Sequence, residues 1–239
     1  MVSRDLRLRL AAEDIRHLLS RGYPRTGAVR FVCDHHRLAL PDRHILMRTV
    51  IEPGVAASRI KKKIACAEIR GRELMVDGYN VLIATESIIS GEPVFLCDDG
   101  FIRDVRGVFR NYKNPDPCVC MRILEMISRH APEFVTFLFD AQISKSGRLA
   151  RHIRGLLPAY SIAGDARTSK HVDFDLKHCG CNCGSGSSGG SGCDPIVATG
   201  DGSIIDEVAS VVDIPGCILD EIEKDERDDC EMQEVRGKI

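Results

Sequence analysis

The chain reads Glu73-Leu74-Met75-Val76-Asp77-Gly78-Tyr79-Asn80 at a point where a short apolar run gives way to polar residues. The run is typical of a buried strand, and the residues after Asp77 predict a turn into a helix. Ligands of open α/β sheets bind at the carboxyl ends of the parallel strands. Asp77 and Asn80 are therefore better placed for binding a ligand than for packing.

Two further apolar runs end in the same way. Residues 134–139 precede Asp140, and residues 196–199 precede Asp201. Segments with helical spacing separate these runs, and alternation of strands and helices predicts a parallel sheet with both faces covered. We therefore predict an α/β fold with a mainly parallel central sheet and helices on both faces. Residues 215–219 are interpreted as a last strand.

Basic and acidic residues are unevenly distributed along the chain. Residues 1–72 carry 16 of the 33 Lys and Arg residues but only 7 of the 35 Asp and Glu residues. We predict a basic, mostly helical N-terminal region over 1–72, the α/β domain over 73–220 and an acidic tail over 221–239. The asymmetry favours an N-terminal region that contacts RNA phosphates, with Lys61, Lys62 and Lys63 among the contacts. The alternative is a solvated helical face that packs on the acidic domain.

Residues 184–192 consist of Gly and Ser, and this composition predicts a flexible loop, either native or introduced. Eleven cysteines cannot all pair within one chain, and no secretion signal is present, so reduced thiols or a metal site are favoured over a disulfide framework. The cysteines around the loop are either zinc ligands or free thiols. They are Cys179, Cys181, Cys183 and Cys193.

No stretch approaches the ~20 apolar residues that span a bilayer. We expect a cytoplasmic protein that has no membrane partner. The sequence is compatible with a homo-oligomer.

Several carboxylates are expected to meet at one edge of the sheet. Like charges crowded together are costly to bury, and a divalent cation with hard oxygen ligands, Mg²⁺ or Mn²⁺, would offset that cost. The alternative for each acid is a helix N-cap. The candidate ligands are Asp77, Asp140, Asp173, Asp201 and Asp206.

Two nearby segments carry further candidates. Ser144, Ser146 and Arg148 lie at a predicted helix start, where they would bind a phosphate or simply cap the helix. Residues 98–104 form an acidic turn that contains Arg103. This turn either reaches the site from a neighbouring loop or forms surface salt bridges.

The run Val76-Asp77-Gly78-Tyr79-Asn80-Val81-Leu82 resembles the first motif of NYN-type members of the PIN-like nuclease superfamily. His171-Val172-Asp173 resembles the mid-domain motif of that family, and residues 197–206 resemble its late strand. The resemblance covers about residues 73–220. A basic region before such a domain also resembles an uncharacterised prokaryotic family of PIN-like proteins.

The resemblance implies a PIN-like fold and metal-dependent cleavage of RNA. Asp77, Asp173 and Asp201 would be the first metal ligands, Asp140 and Asp206 would complete the site, and Asn80 would orient a ligand or a phosphate. The Gly/Ser tract departs from the family, because PIN-like domains usually carry ordered chain before the late strand.

Three other functions remain open. A non-catalytic RNA-binding module would keep the fold and bind RNA without turnover. A phosphatase or nucleotide-processing hydrolase would use the same acids on small substrates. A toxin-like protein would act through a partner chain.

Overall fold

A computed structural model describes residues 3–105, 116–179 and 194–236, with side chains described up to residue 225. The N-terminal part contains four helices, and the first three pack around a small core of their own that includes Ile15, Val32 and Leu46. The predicted helical N-terminal part is therefore confirmed. The helices are α1 (Arg4–Ser20), α2 (Arg25–His35), α3 (Leu40–Thr49) and α4 (Pro53–Lys62).

The central sheet has six strands, and every pairing in it is parallel. The chain also forms a separate antiparallel hairpin. The sheet strands are β1 (Lys63–Ile64), β2 (Glu73–Asp77), β5 (Phe134–Asp140), β6 (Gly164–Ser169), β7 (Ile196–Ala198) and β8 (Val211–Val212), and the hairpin strands are β3 (Val94–Leu96) and β4 (Ile102–Asp104). The spatial order is β1-β8-β7-β2-β5-β6.

Helices cover both faces of the sheet, as predicted. Alternate residues of a strand point to opposite faces, so Leu74 and Val76 pack into one hydrophobic cluster while Met75 packs against the other. The first cluster includes residues of α5, α6, α7 and α10, and the second includes residues of α8 and α9. These helices are α5 (Gly78–Ile89), α6 (Pro117–His130), α7 (Ser146–Leu156), α8 (Val172–Lys177), α9 (Gly202–Ile205) and α10 (Ile214–Arg236).

The predicted last strand at 215–219 is wrong. These residues form the first turns of α10, and the last strand is β8, just upstream. Pro215 lies at the beginning of the helix, where its missing N–H is no cost. The buried Asp213 accepts a hydrogen bond from the Gly216 N–H at 3.0 Å and so caps this end. The helix continues through the acidic segment to Arg236.

One disulfide joins the two ends of the sheet region, whereas Cys33, Cys97, Cys118 and Cys120 are free thiols, so the expectation of reduced thiols fails for one pair. Cys66 follows β1 and Cys217 lies on α10, and their Cα atoms are 6.6 Å apart. This separation is within the range that a disulfide bridges. The sequence could not reveal the pairing, because 151 residues separate the two cysteines.

Candidate functional site

The sheet has a topological switch point between β2 and β7. The chain leaves β2 towards β5 and β6, and then crosses back to form β7 on the other side of β2. Val76 is paired with Ala198, so the turns after the two strands begin next to each other at the carboxyl edge. Crevices at such switch points are the usual ligand sites of open α/β sheets.

Asp77 lies at the centre of this edge. One of its carboxylate oxygens accepts a hydrogen bond from the Thr199 hydroxyl at 2.9 Å, and the carboxylate also accepts from the Asn80 backbone N–H. Burial raises the pKa of Asp77 to about 7, and the negative charges of Asp201 and Asp173 contribute to the rise. The residue keeps some contact with solvent, although its carboxyl group is closely surrounded by protein. A partly exposed acid with such a pKa is a candidate functional group.

Polar contacts hold the turn after β7 against Asp77. Asn80 accepts a hydrogen bond from the Gly200 N–H at 2.7 Å, and the Thr199 hydroxyl accepts one from the Asp201 N–H at 3.1 Å. Asp201 caps α9 by accepting from the Ser203 N–H at 2.7 Å. Thr199 was not among the predicted site residues, although its position directly before Gly200-Asp201 at the end of a strand is a signal in the sequence.

Asp173 is the third acid of this group. It lies in the first turn of α8, is exposed, and its charge acts on Asp77. The structure therefore brings Asp77, Asp173 and Asp201 into electrostatic contact, although they come from three distant parts of the chain.

The other two predicted acids have different surroundings. The carboxylate of Asp206 is held by Arg59 through two hydrogen bonds of 2.7 and 2.8 Å, which lower its pKa. Asp140 accepts a hydrogen bond from the Gln142 N–H at 2.7 Å. Burial raises the pKa of Tyr79 to about 12, and the charge of Asp140 adds to this rise. That Asp140 and Asp206 bind a metal stays a prediction.

The donor chemistry at this edge suits a hard cation. The charges of Asp173 and Asp201 act on Asp77, and Mg²⁺ characteristically keeps several waters and takes only one or two protein carboxylates directly. Within residues 3–105, 116–179 and 194–225, no three acidic, His or Cys side chains are grouped closely enough to hold an ion by themselves. Asp77, Asp173 and Asp201 could hold a cation in part through water.

A basic cleft of about 450 Å³ adjoins the acidic edge. One wall is formed by the N-terminal helices and the β4 strand, and the other by Asn80 and the turn at 200–203. The lining contains four arginines and a single acid, Asp201. The arginines are Arg25, Arg48, Arg59 and Arg103.

Asp99, fully buried in the predicted acidic turn, organises two of these arginines. It accepts two hydrogen bonds of 2.7 Å from Arg103 and one of 3.0 Å from Arg59. Burial alone would raise the pKa of Asp99, but the hydrogen bonds from the two arginines lower it. Arg103 also donates to the Gly200 carbonyl at 2.7 Å. The turn therefore reaches the site, in agreement with one of the two sequence interpretations.

The side chains predicted to contact RNA differ in their exposure and in their hydrogen-bond partners. Lys62 donates to the Ile205 carbonyl at 3.0 Å and also to the Asp206 carbonyl, and Lys63 contacts Asp213 at 3.1 Å, while Lys61 is exposed. Ser146 is buried at the start of α7. Ser144 and Arg148 are exposed. Their contact with RNA stays a prediction.

Of the four predicted zinc ligands, only Cys179 is described. It packs beside the second hydrophobic cluster. Cys181, Cys183 and Cys193, together with the Gly/Ser tract, lie outside the described residues.

In the described part of the chain, no helix has both the length and the apolar character needed to cross a membrane.

Fold and site together define an α/β protein with carboxylates at the switch point of its sheet and a basic cleft beside them. The chain belongs to the family described as a domain of unknown function, DUF5616, whose model matches residues 66–217. A second model, described as a protein of unknown function, DUF434, matches residues 7–62. The two matches cover five of the six sheet strands and most of the four N-terminal helices.

The chain is also similar to the uncharacterized protein MJ0935 of Methanocaldococcus jannaschii. The two are 34% identical over 209 residues, which are 85% of this chain and 92% of the relative. No solved structure matches the chain significantly.

Proposed function

We propose that the protein is a divalent-metal-dependent ribonuclease with a PIN-like, NYN-type domain. The observation that carries the proposal is the buried carboxylate of Asp77 at the switch point, on which the charges of Asp173 and Asp201 act. A buried carboxylate under the negative charge of two others is costly to ionise, and a bound cation would offset that cost. The basic cleft beside them suits the phosphates of RNA.

Asp77, Asp173 and Asp201 would hold Mg²⁺ or Mn²⁺, directly or through water. A cation bound there would supply Lewis-acid stabilisation of a phosphodiester and a lowered pKa for a coordinated water. Thr199 and Asn80 would keep the Asp77 carboxylate and the Gly200 turn in fixed positions. Because Asp77 must lose its proton before it binds a cation, activity should rise with pH through about 7.

The experiment incubates the protein with single-stranded and structured RNAs in Mn²⁺, Mg²⁺ or EDTA. We expect cleavage with either metal and none in EDTA. Asp77→Asn should reduce the rate at least 100-fold, whereas Asp220→Asn, an exposed acid on α10, should leave it unchanged. Absence of metal-dependent cleavage, or equal rates in wild type and Asp77→Asn, would contradict the proposal.

One observation favours a second candidate, the non-catalytic RNA-binding module. Among the described side chains, no group of three potential ligands is close enough to hold an ion alone. This module should bind RNA in a salt-sensitive manner and show no turnover with any metal.

A further inference from the structure

Two of the four arginines in the basic cleft are not held by a close ion pair to any described residue. Arg59 and Arg103 are paired with the carboxylates of Asp99 and Asp206. Arg25 has a different kind of partner, because its guanidinium donates to the backbone carbonyls of Met47 and Val50. A carbonyl satisfies a donor but does not cancel the positive charge.

Arg48 is also incompletely satisfied. Its nearest carboxylate is that of Asp104 at 3.9 Å, which is the outer limit of an ion pair. Its Nε atom is buried and has no hydrogen-bond partner among the residues that the structure describes. A buried donor without an acceptor is destabilising, and a ligand oxygen could offset this cost.

Arg25 is destabilised as a cation by its neighbours. Burial of its guanidinium and the positive charges of Arg59 and Arg103 lower its pKa, even though the residue as a whole remains exposed. An anion in the cleft would reverse this effect, because it would interact favourably with several guanidinium groups at once.

The opposite wall of the cleft is made by the turn that carries Asp201. Asn80, Gly200, Gly202 and Ser203 line it, so an anion in the cleft would lie beside the acidic edge. A volume of about 450 Å³ is at the lower end of the range for small-molecule sites and suits a single nucleotide unit.

We propose that Arg25 and Arg48 form a phosphate-binding subsite, so that the N-terminal helices supply one half of the substrate site. The subsite takes a phosphate group, which belongs either to an RNA backbone or to a free nucleotide. The assignment to RNA rests on the proposed ribonuclease function, whereas phosphate binding itself does not.

The test is calorimetric titration of the full-length protein in EDTA, where cleavage cannot interfere. The probes are inorganic phosphate, adenosine 5′-monophosphate and a short single-stranded RNA. We expect binding of at least one nucleotide probe, competition by inorganic phosphate, and affinity that falls with added salt. Arg25→Gln and Arg48→Gln should each weaken binding roughly tenfold or more, the cost of one charge-assisted hydrogen bond.

Arg167→Gln is the matched control, because Arg167 is an exposed arginine on β6 outside the cleft. Thermal unfolding of each variant separates loss of binding from loss of fold. Since Arg25 also binds two backbone carbonyls, Arg25→Lys serves as a second variant, which keeps the charge and should retain part of the affinity. Folded Arg25→Gln and Arg48→Gln variants that bind like wild type would overturn the subsite, as would failure of all three probes to bind.

The outcomes also separate the subsite from the nuclease. Binding of the mononucleotide but not of RNA would support the subsite and contradict the ribonuclease. Loss of RNA binding in both variants, with metal-dependent cleavage absent in the wild type, would support the subsite and favour the non-catalytic module.

Discussion

Asp77 shows how the environment of one residue determines its chemistry. An aspartate ordinarily has a pKa near 3.8, but burial beside Asp201 and Asp173 raises that of Asp77 to about 7. The residue thus titrates near neutral pH, where a bound cation and a proton would compete for the same carboxylate.

The raised pKa of Asp77 predicts that the free energy of unfolding depends on pH. The unfolded chain loses the Asp77 proton near pH 3.8 and the folded chain near 7, so folding is disfavoured progressively as the pH rises between these values. Asp77→Asn removes this cost, which grows by at most about 1.4 kcal/mol for each pH unit between the two values. In EDTA, urea unfolding should show a small gain for Asp77→Asn at pH 4.5 and a larger one at pH 8.

Asp220→Asn should show no such trend, because Asp220 is exposed. Added Mn²⁺ should stabilise the wild type and have little effect on Asp77→Asn. An equal difference between wild type and Asp77→Asn at both pH values would argue against the raised pKa.

At the scale of elements, the strand-to-helix turn after β2 depends on Gly78. A Cβ atom at this position would clash with the Phe139 ring and lie 2.8 Å from the Leu138 carbonyl oxygen. Only glycine lets α5 begin directly against β5, and this packing sets the position of Asp77 and Asn80.

Gly78→Ala should therefore destabilise the protein by roughly 3 kcal/mol, the cost of overpacking a close backbone contact. Chemical denaturation provides the measurement. Gly147→Ala is the control, since Gly147 also lies in the first turn of a helix but has open space around its Cβ position. That change should be neutral or slightly stabilising. Similar stabilities for the two variants would show that the contact at Gly78 can relax.

Strong apolar runs made the central elements predictable. β5 and β7 are buried on both faces, and β2 has buried Leu74 and Val76 on one face and half-buried Met75 on the other, so each forms a continuous hydrophobic segment in the sequence. β6 was missed because it lies at the sheet edge and alternates charged and polar residues, with only Ala166 fully buried. β1 and β8 have two residues each, too few for a periodic signal.

The site was predictable only in part, for a related reason. Asp77 and Asp201 follow strong strands, so their meeting at one edge could be expected from the sequence. The pairing of Asp206 with Arg59 spans 147 residues, and no local pattern indicates it. Arg25 and Arg48 belong to helices whose position against the sheet follows from tertiary packing alone.

At the scale of the whole molecule, ion pairs attach the N-terminal helices to the β3–β4 hairpin and the sheet edge. Arg16 binds Asp98 with two hydrogen bonds of 2.9 and 2.7 Å, and Arg59 joins Asp99 to Asp206. The hairpin thus lies between the helices and the acidic edge, and Arg103 connects it to Gly200. This arrangement places the basic cleft next to the carboxylates.

The central claim is that Asp77, Asp173 and Asp201, which meet only in the folded molecule, share one divalent cation. The most direct test is anomalous diffraction from crystals of the protein soaked in Mn²⁺. We predict one anomalous peak at the carboxyl edge, contacted by all three residues directly or through water, and its loss in Asp77→Asn. No peak at this edge, or a peak that persists unchanged in Asp77→Asn, would contradict the account.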